Sequence, residues 1–332
     1  MNLKRQLLLV SLLTLVLPWA GYQFIHETES ALRVGQQQML AGTAQAIADS
    51  LARYPEEFPR GPRGDETVAD QLYGHPLGNR PEVDGYYHDW GLERASLREL
   101  RGVDGPIYFA LGVAGESVFL YVEVRDRSVV YAEPGSRSPD SGPTYFDAVS
   151  LINTSPLYLD EEIVFAAEAP GPVIPVRSNE YGIRPDPAII AAWQDTSTGY
   201  RVEARIPLSK LGTHIGVIVS NTADQLASPA RSASFSSRKP GALVSVSPGL
   251  EERAAILTQS GMRLIVTDVS GWRIALSDSM QGDTVEPAGV GSRWLRIAYD
   301  ALVESAEAAQ LAEPDPSGRE RRDYVAQALN GE

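Results

Sequence analysis

The 332-residue chain has no cysteine. This excludes disulfides, thiolate metal ligands, a cysteine nucleophile and the lipid-bearing cysteine of a bacterial lipoprotein. Cations are in the minority, 29 Lys and Arg against 43 Asp and Glu for a formal net charge of −14, and they are scattered along the chain. A nucleic-acid surface needs clustered Lys and Arg, so nucleic acid is excluded as a partner. Also missing are a Gly-x-Ser-x-Gly elbow, a His-Glu-x-x-His pair and a phosphate-cradling loop. The neighbouring acids Asp160, Glu161 and Glu162 read as a solvated strand edge, because a glycosidase needs two carboxyls facing each other across a cleft. No catalytic residue is assigned.

What is present begins with one apolar run. After Lys4 and Arg5, residues Gln6 to Ile25 carry no charge, and twenty residues at 1.5 Å rise give about 30 Å, a hydrocarbon thickness. Trp19, Tyr22 and Phe24 mark the far interface, and the two cations at the near end predict an inside N-terminus with the remaining chain outside. Two readings compete, a retained anchor and a cleaved signal peptide. Pro18 and Trp19 make a poor cleavage context, and the next segment continues as helix, which favours the anchor. No second run of about 18 apolar residues follows, so the chain crosses once.

In Glu27 to Tyr54, Leu32, Leu40, Ala44, Ile47 and Leu51 recur mostly at helical spacing, and Pro55 ends the segment. It is either a stalk packed on its own domain or a helix that pairs with a second copy. Pro55 to Glu82 is rich in Pro and Gly and reads as a linker. From Val83 short strand-like runs follow: Ile107 to Val113 and Val118 to Arg125 as a hairpin, then Ala148 to Asn153, Glu162 to Glu168, Ala191 to Trp193, Tyr200 to Ile206 and Ile215 to Ser220. Their spacing predicts an antiparallel β-sandwich. Near Leu250 a short helix, Glu251 to Thr258, precedes strand, turn and strand over Met262 to Ser277, and Ser292 to Ala309 has the pattern of an amphipathic helix. Two strands and one helix enclose little core, so this last part reads as truncated.

Three stretches carry a resemblance. Pro81-Glu82-Val83-Asp84-Gly85-Tyr86-Tyr87-His88-Asp89-Trp90-Gly91, Tyr145-Phe146-Asp147-Ala148-Val149-Ser150-Leu151 and the Glu203-Ala204-Arg205-Ile206-Pro207 strand resemble, in order, three strands of family 9-like carbohydrate-binding modules. The resemblance implies a sandwich over 83–250. The flanks resemble a bacterial sensor histidine kinase: the N-terminal run with its helix, and Gly261 to Leu276, which is similar to strands of periplasmic Cache-like domains. Together they most resemble the sensor kinases of proteobacterial dedicated sortase systems. The organisation implied is a cytoplasmic tip and anchor (1–26), a juxtamembrane helix (27–55), a linker (56–82), the sandwich (83–250) and a partial α+β Cache-like domain (251–332). The fold class is thus mainly β, with an N-terminal transmembrane helix and stalk.

This resemblance implies the sensing part of an inner-membrane two-component receptor, bulk periplasmic, paired as a homodimer through its membrane and juxtamembrane helices. The envelope ligand or protein partner is unspecified. ATP and a cognate response regulator would belong to a kinase core that this sequence lacks. None of His26, His75, His88 and His214 lies on the cytoplasmic side. The alternative is a membrane-anchored periplasmic glycan-binding protein. For ligand contact the candidates are Trp193 and Tyr200 as an aromatic platform, with Trp90 and Asp147, although the competing role is core packing for Trp90 and, for Asp147, a solvent-facing position or a loop held by hydrogen bonds. Asp84, Asp89 and Asp147 could offer oxygens to calcium, but no loop has regular acidic spacing, and neither metal nor cofactor is expected.

Overall fold

The computed structural model describes residues 3–58, 67–133, 145–155, 158–223, 228–236, 240–279 and 313–322, with isolated positions 325 and 328; side chains within 3–29 and 155–159 are described only in part. A single helix α1 (Leu3–Leu51) opens the chain. The strands are β1 (Leu72–Pro76), β2 (Arg98–Arg101), β3 (Pro106–Ala114), β4 (Ser117–Arg125), β5 (Ala148–Ser155), β6 (Tyr158–Phe165), β7 (Gly171–Val173) and β8 (Val176–Asn179). They continue with β9 (Gly182–Pro185), β10 (Ile190–Thr196), β11 (Gly199–Pro207), β12 (His214–Asn221), β13 (Ala230–Ala233) and β14 (Leu243–Ser245). Helix α2 (Pro248–Leu257) and the hairpin β15 (Arg263–Thr267) and β16 (Arg273–Asp278) follow.

The chain forms two compact units. The first holds α1 with Gln259–Met262 and Ser279–Glu313. Leu32, Val34, Met39 and Leu40 of α1 are all more than half exposed. Among the described residues no helix is long and apolar enough to cross a membrane. The side chains of the apolar run Leu7 to Leu17 are not among them, and the helix expected over Ser292 to Ala309 also lies outside the described residues.

The second unit is mainly β. One sheet runs β14-β1-β3-β4-β11-β10-β7, with β2 also on β3, and the other β13-β12-β5-β6-β8-β9. Alternation puts Ile107, Phe109, Val122, Tyr200 and Val202 of the first against Val149, Leu151, Ile163, Phe165 and Val217 of the second, and all are buried. Burying large apolar side chains, each at about 1.5–3 kcal/mol, drives the two sheets together.

Two expectations need correction. The stretch 56–82 is not all linker, since Leu72–Pro76 enters the first sheet between β14 and β3. It pairs parallel to both, so the sandwich is not wholly antiparallel. Pairing on two sides supplies the order that local composition does not.

Ser247 caps α2, with its Oγ accepting from Leu250 N at 3.4 Å, and α2 packs on β16. The segment 314–322 returns to the hairpin turn. Arg273 N donates to Gly318 O and Glu320 N to Gly271 O, both at 2.9 Å. A buried Arg273–Glu320 ion pair at 3.1 Å fixes this strap. Within the second unit the described residues after 250 therefore amount to one helix, one hairpin and the strap.

Candidate functional site

The residues of the three motifs are structural where their contacts are visible. Glu203 alternates with the core residues Val202 and Ala204 of β11, so it points to the outer face of the first sheet, yet it is fully buried. The segment after β1 folds over it. Asp84 N and Gly85 N donate to Oε2 at 3.0 and 2.8 Å, and Trp90 Nε1 donates to Oε1 at 2.9 Å. Gly85 has φ 90°, and a Cβ there would meet the Gln194 side chain at 2.4 Å. One carboxylate thus ties the Asp-Gly and Asp-Trp elements to the Glu-x-x-Ile-Pro strand. Burial pushes the Glu203 pKa up to about 7 against the pull of its three donors.

Trp90 is 2% exposed and packs on Tyr87, Phe119 and Tyr121. Asp147 is buried as well, its Oδ2 accepting from Val130 N at 2.7 Å and its Oδ1 from Thr222 N at 2.8 Å. Burial raises its pKa to about 7, and the carboxyl of Asp126 beside it adds to the rise. The platform expected from Trp193 and Tyr200 is closed. The two rings stack on each other, centroids 4.0 Å apart at 14°, and are 1% and 0% exposed. In β11, Tyr200 shares its parity with Val202, Ala204 and Ile206, which sends it into the core. Asp84, Asp89 and Asp147 do not converge either, and no group of three or more His, Asp or Glu among the described residues is placed to hold a metal.

The structure instead opens a cleft of about 400 Å³ on the second sheet. Its walls come from Asn153 on β5, Glu161 on β6, Arg177 and Asn179 on β8, Arg184 on β9 and Lys210 after β11. Tyr181, in the β8–β9 turn, stands at its rim with 80% of its surface exposed. Asn179 Oδ1 accepts from Tyr181 N at 3.0 Å and so fixes the turn. The cleft floor is a charge network. Arg177 pairs with Glu161 and donates to Lys210 O at 3.1 Å, and Lys210 Nζ donates to Asp186 at 2.7 and 3.0 Å. Although burial opposes it, the Lys210 hydrogen bond leads the set that holds the Asp186 pKa below its usual range. Asn153 Nδ2 donates to Lys210 O at 3.0 Å. Glu161 is therefore not on a solvated edge: its side chain is 11% exposed and faces Arg177 and Arg184.

This combination suits a polyhydroxylated ligand. An exposed ring offers a face to C–H groups, while planar amide, guanidinium and carboxylate groups held in place address adjacent hydroxyls as donors and acceptors. Sequence reasoning missed every one of these residues as a site residue, Glu161 included, which it read as a solvated strand edge. The one usable signal was Asn179-Glu180-Tyr181-Gly182, a tight-turn signature with a large aromatic where a polar residue is the norm.

A scan of protein-family profiles gives no match, and a comparison with curated proteins gives none. Among solved structures the chain is similar to a carbohydrate binding module family 9 from Caldicellulosiruptor kristjanssonii in complex with cellotriose, at 20% identity and TM-score 0.35, covering 53% of this chain and 93% of that one. It is also similar to such a module from the same organism in complex with glucose, at 17% identity and TM-score 0.35, covering 54% and 97%.

Proposed function

We propose that the second unit is a carbohydrate-binding module and that the chain holds it at the outer face of a bacterial inner membrane through its N-terminal helix. The observation that carries this reading is Tyr181: a ring 80% exposed at the rim of a 400 Å³ cleft whose polar walls are already fixed by ion pairs and hydrogen bonds. A sugar ring laid on Tyr181 would turn its hydroxyl edge toward Asn179 and Arg184, while Arg177, Lys210 and Asp186 keep the floor rigid. A preorganised site of this kind binds without first ordering its own side chains. Catalysis has no part in this reading. The experiment is retention of the full chain on a glycan array, repeated with Tyr181→Ala. Retention of defined glycans that the variant loses supports the proposal, and equal retention by the variant removes it.

A second reading, the sensing part of a two-component histidine kinase, is favoured by α1. This helix runs unbroken from Leu3 to Leu51 and leaves Leu32, Met39 and Leu40 exposed. An apolar stripe of that kind suits pairing with a second copy. In this reading a bound glycan would bias two arrangements of the paired helices, which requires that it bind the two with different affinity. On this reading ATP and a response regulator would belong to a kinase core, which these 332 residues do not contain. In-cell crosslinking at Leu32→Cys and Leu40→Cys checks the pairing: dimers at both positions are expected, and monomers at both would contradict it.

A further inference from the structure

A separate cavity of about 310 Å³ in the second unit has a lining that the glycan cleft does not explain. Arg98, Arg319 and Arg321 all line it, and no Asp or Glu among the described residues does. In a chain of net charge −14 this is an unexpected concentration of one sign.

Two of the three guanidinium groups are held by neutral partners. Arg98 donates from Nη1 to Gln71 O at 2.9 Å and from Nη2 to Ala69 O and Ser234 O, all backbone carbonyls. Arg319 donates from Nε to Ser270 O at 2.9 Å and lies 5.9 Å above the Trp272 ring. Arg321 is exposed and has no ion pair among the described residues. Burial lowers the Arg98 pKa, Asp70 opposes this, and the like charge of Arg321 adds to the lowering more weakly than Asp70 opposes it. Asp70 itself is taken up by Thr67 and by the Ser236 N–H and hydroxyl.

The rest of the lining is apolar. Leu72, Phe109 and Leu111 form the floor, each no more than 2% exposed, and Tyr73 stacks on Trp272 at 5.5 Å to make one wall. Like charges held around an apolar floor repel each other, and the repulsion is greatest where water is excluded. An oxyanion relieves it, and a planar carboxylate matches the guanidinium fork. Inorganic phosphate would satisfy the arginines but leave the floor uncovered.

We infer that this cavity binds a small carboxylate with an apolar body, an aromatic or short aliphatic acid, between the sandwich and the strap 314–322. Such a ligand would hold the strap against β2, since Arg319 and Arg321 belong to the strap while Arg98 belongs to β2.

The test is calorimetric titration of the full chain in detergent micelles with phenylacetate, hexanoate, phenylacetamide and inorganic phosphate. Micelle partitioning is common to parent and variants, so differences between them report the cavity. Saturable binding of at least one carboxylate is expected, with phenylacetamide and phosphate about tenfold weaker or more and Arg321→Gln weakening the carboxylate about fivefold or more. Arg321 is exposed and makes no hydrogen bond or ion pair among the described residues, so that variant is expected to keep its fold, with circular dichroism as the check. Arg319→Gln adds a second loss, with circular dichroism as the check on its fold. No saturation by either carboxylate up to about 10 mM, equal binding of the amide or of phosphate, or unchanged affinity in Arg321→Gln would each overturn the inference. Tyr181→Ala keeps carboxylate binding whatever it does to glycans, so the two proposals fail separately.

Discussion

Glu203 makes the sharpest stability prediction, because one buried carboxylate accepts from three donors in a segment 113 to 119 residues away, of which only Asp84 N has a second acceptor among the described residues, Glu82 O at 3.1 Å. Glu203→Ala leaves Asp84 N, Gly85 N and Trp90 Nε1 without that acceptor beneath the covering segment. A buried donor stripped of its partner costs about 1–3 kcal/mol. Gly85 N and Trp90 Nε1 set a range of roughly 2–6 kcal/mol, since Asp84 N keeps Glu82 O, and water entering the vacated space recovers part of it, so about 2–4 kcal/mol is expected. At about 2–4 °C per kcal/mol for a unit of this size, the midpoint falls by roughly 4–16 °C. Glu203→Gln keeps the shape and one acceptor but turns an N–H₂ toward a donor, which costs about 1–3 kcal/mol. Thermal and urea unfolding of the full chain in micelles, followed by tryptophan fluorescence at pH 8, where Glu203 is ionised, measures both. The exposed Glu116→Ala serves as control and stays within about 0.5 kcal/mol. Glu203→Ala melting within about 1 °C of the parent would refute the account of the motifs as one structural staple.

Three further outcomes follow from the same packing. Glu203 and Asp147 both have folded pKa values of about 7, above their unfolded values, so the folded state holds extra protons between about pH 4 and 7. Stability falls as pH rises through that window, by up to about 1.4 kcal/mol per unit for each group. Burial lowers His75 to about 4, and its contribution rises with pH between about 4 and 6.5, so it offsets one of the two acids there. Melts at pH 4.5, 6 and 8 are expected to fall in that order and to flatten in Glu203→Gln; a midpoint that climbs with pH contradicts the assignment. Trp193→Ala costs about 3–5 kcal/mol, as for other buried aromatics, and a folded variant that loses only glycan binding would restore Trp193 as a contact residue. Gly318 has φ 81°, and a Cβ there would lie 2.2 Å from the Tyr73 ring, so Gly318→Ala should release the strap and speed tryptic cleavage after Arg319 and Arg321. Unchanged cleavage would mean the strap is not seated there.

The sandwich was legible because its longer strands alternate. Ile107 to Val113, Val118 to Arg125 and Tyr200 to Ile206 send every second side chain into the core between the sheets and lie where periodicity placed them. Strand β1 was not legible, since Gly74, His75 and Pro76 read as turn residues and only neighbours on both sides make the segment a strand. The motif residues were legible as a set, but their meaning was not. Glu203 stands 113 to 119 residues from Asp84-Gly85 and Trp90, and only the fold shows that they meet at one carboxylate. Tyr200 was assigned to a ligand platform although its parity with Val202 and Ala204 already placed it inside. Tyr181 was missed because β8 and β9 are four residues each and carry no alternation to set an exposed ring apart.

The central claim, that the cleft beneath Tyr181 takes carbohydrate, is tested most directly by calorimetric titration of the full chain and its Tyr181→Ala variant with a soluble oligosaccharide retained on the array. Loss of a stacking face is expected to weaken binding about tenfold, near 1.4 kcal/mol, with an unchanged melting midpoint because Tyr181 lies outside the core. Equal affinity in the variant, or no oligosaccharide bound by the parent chain, would contradict it.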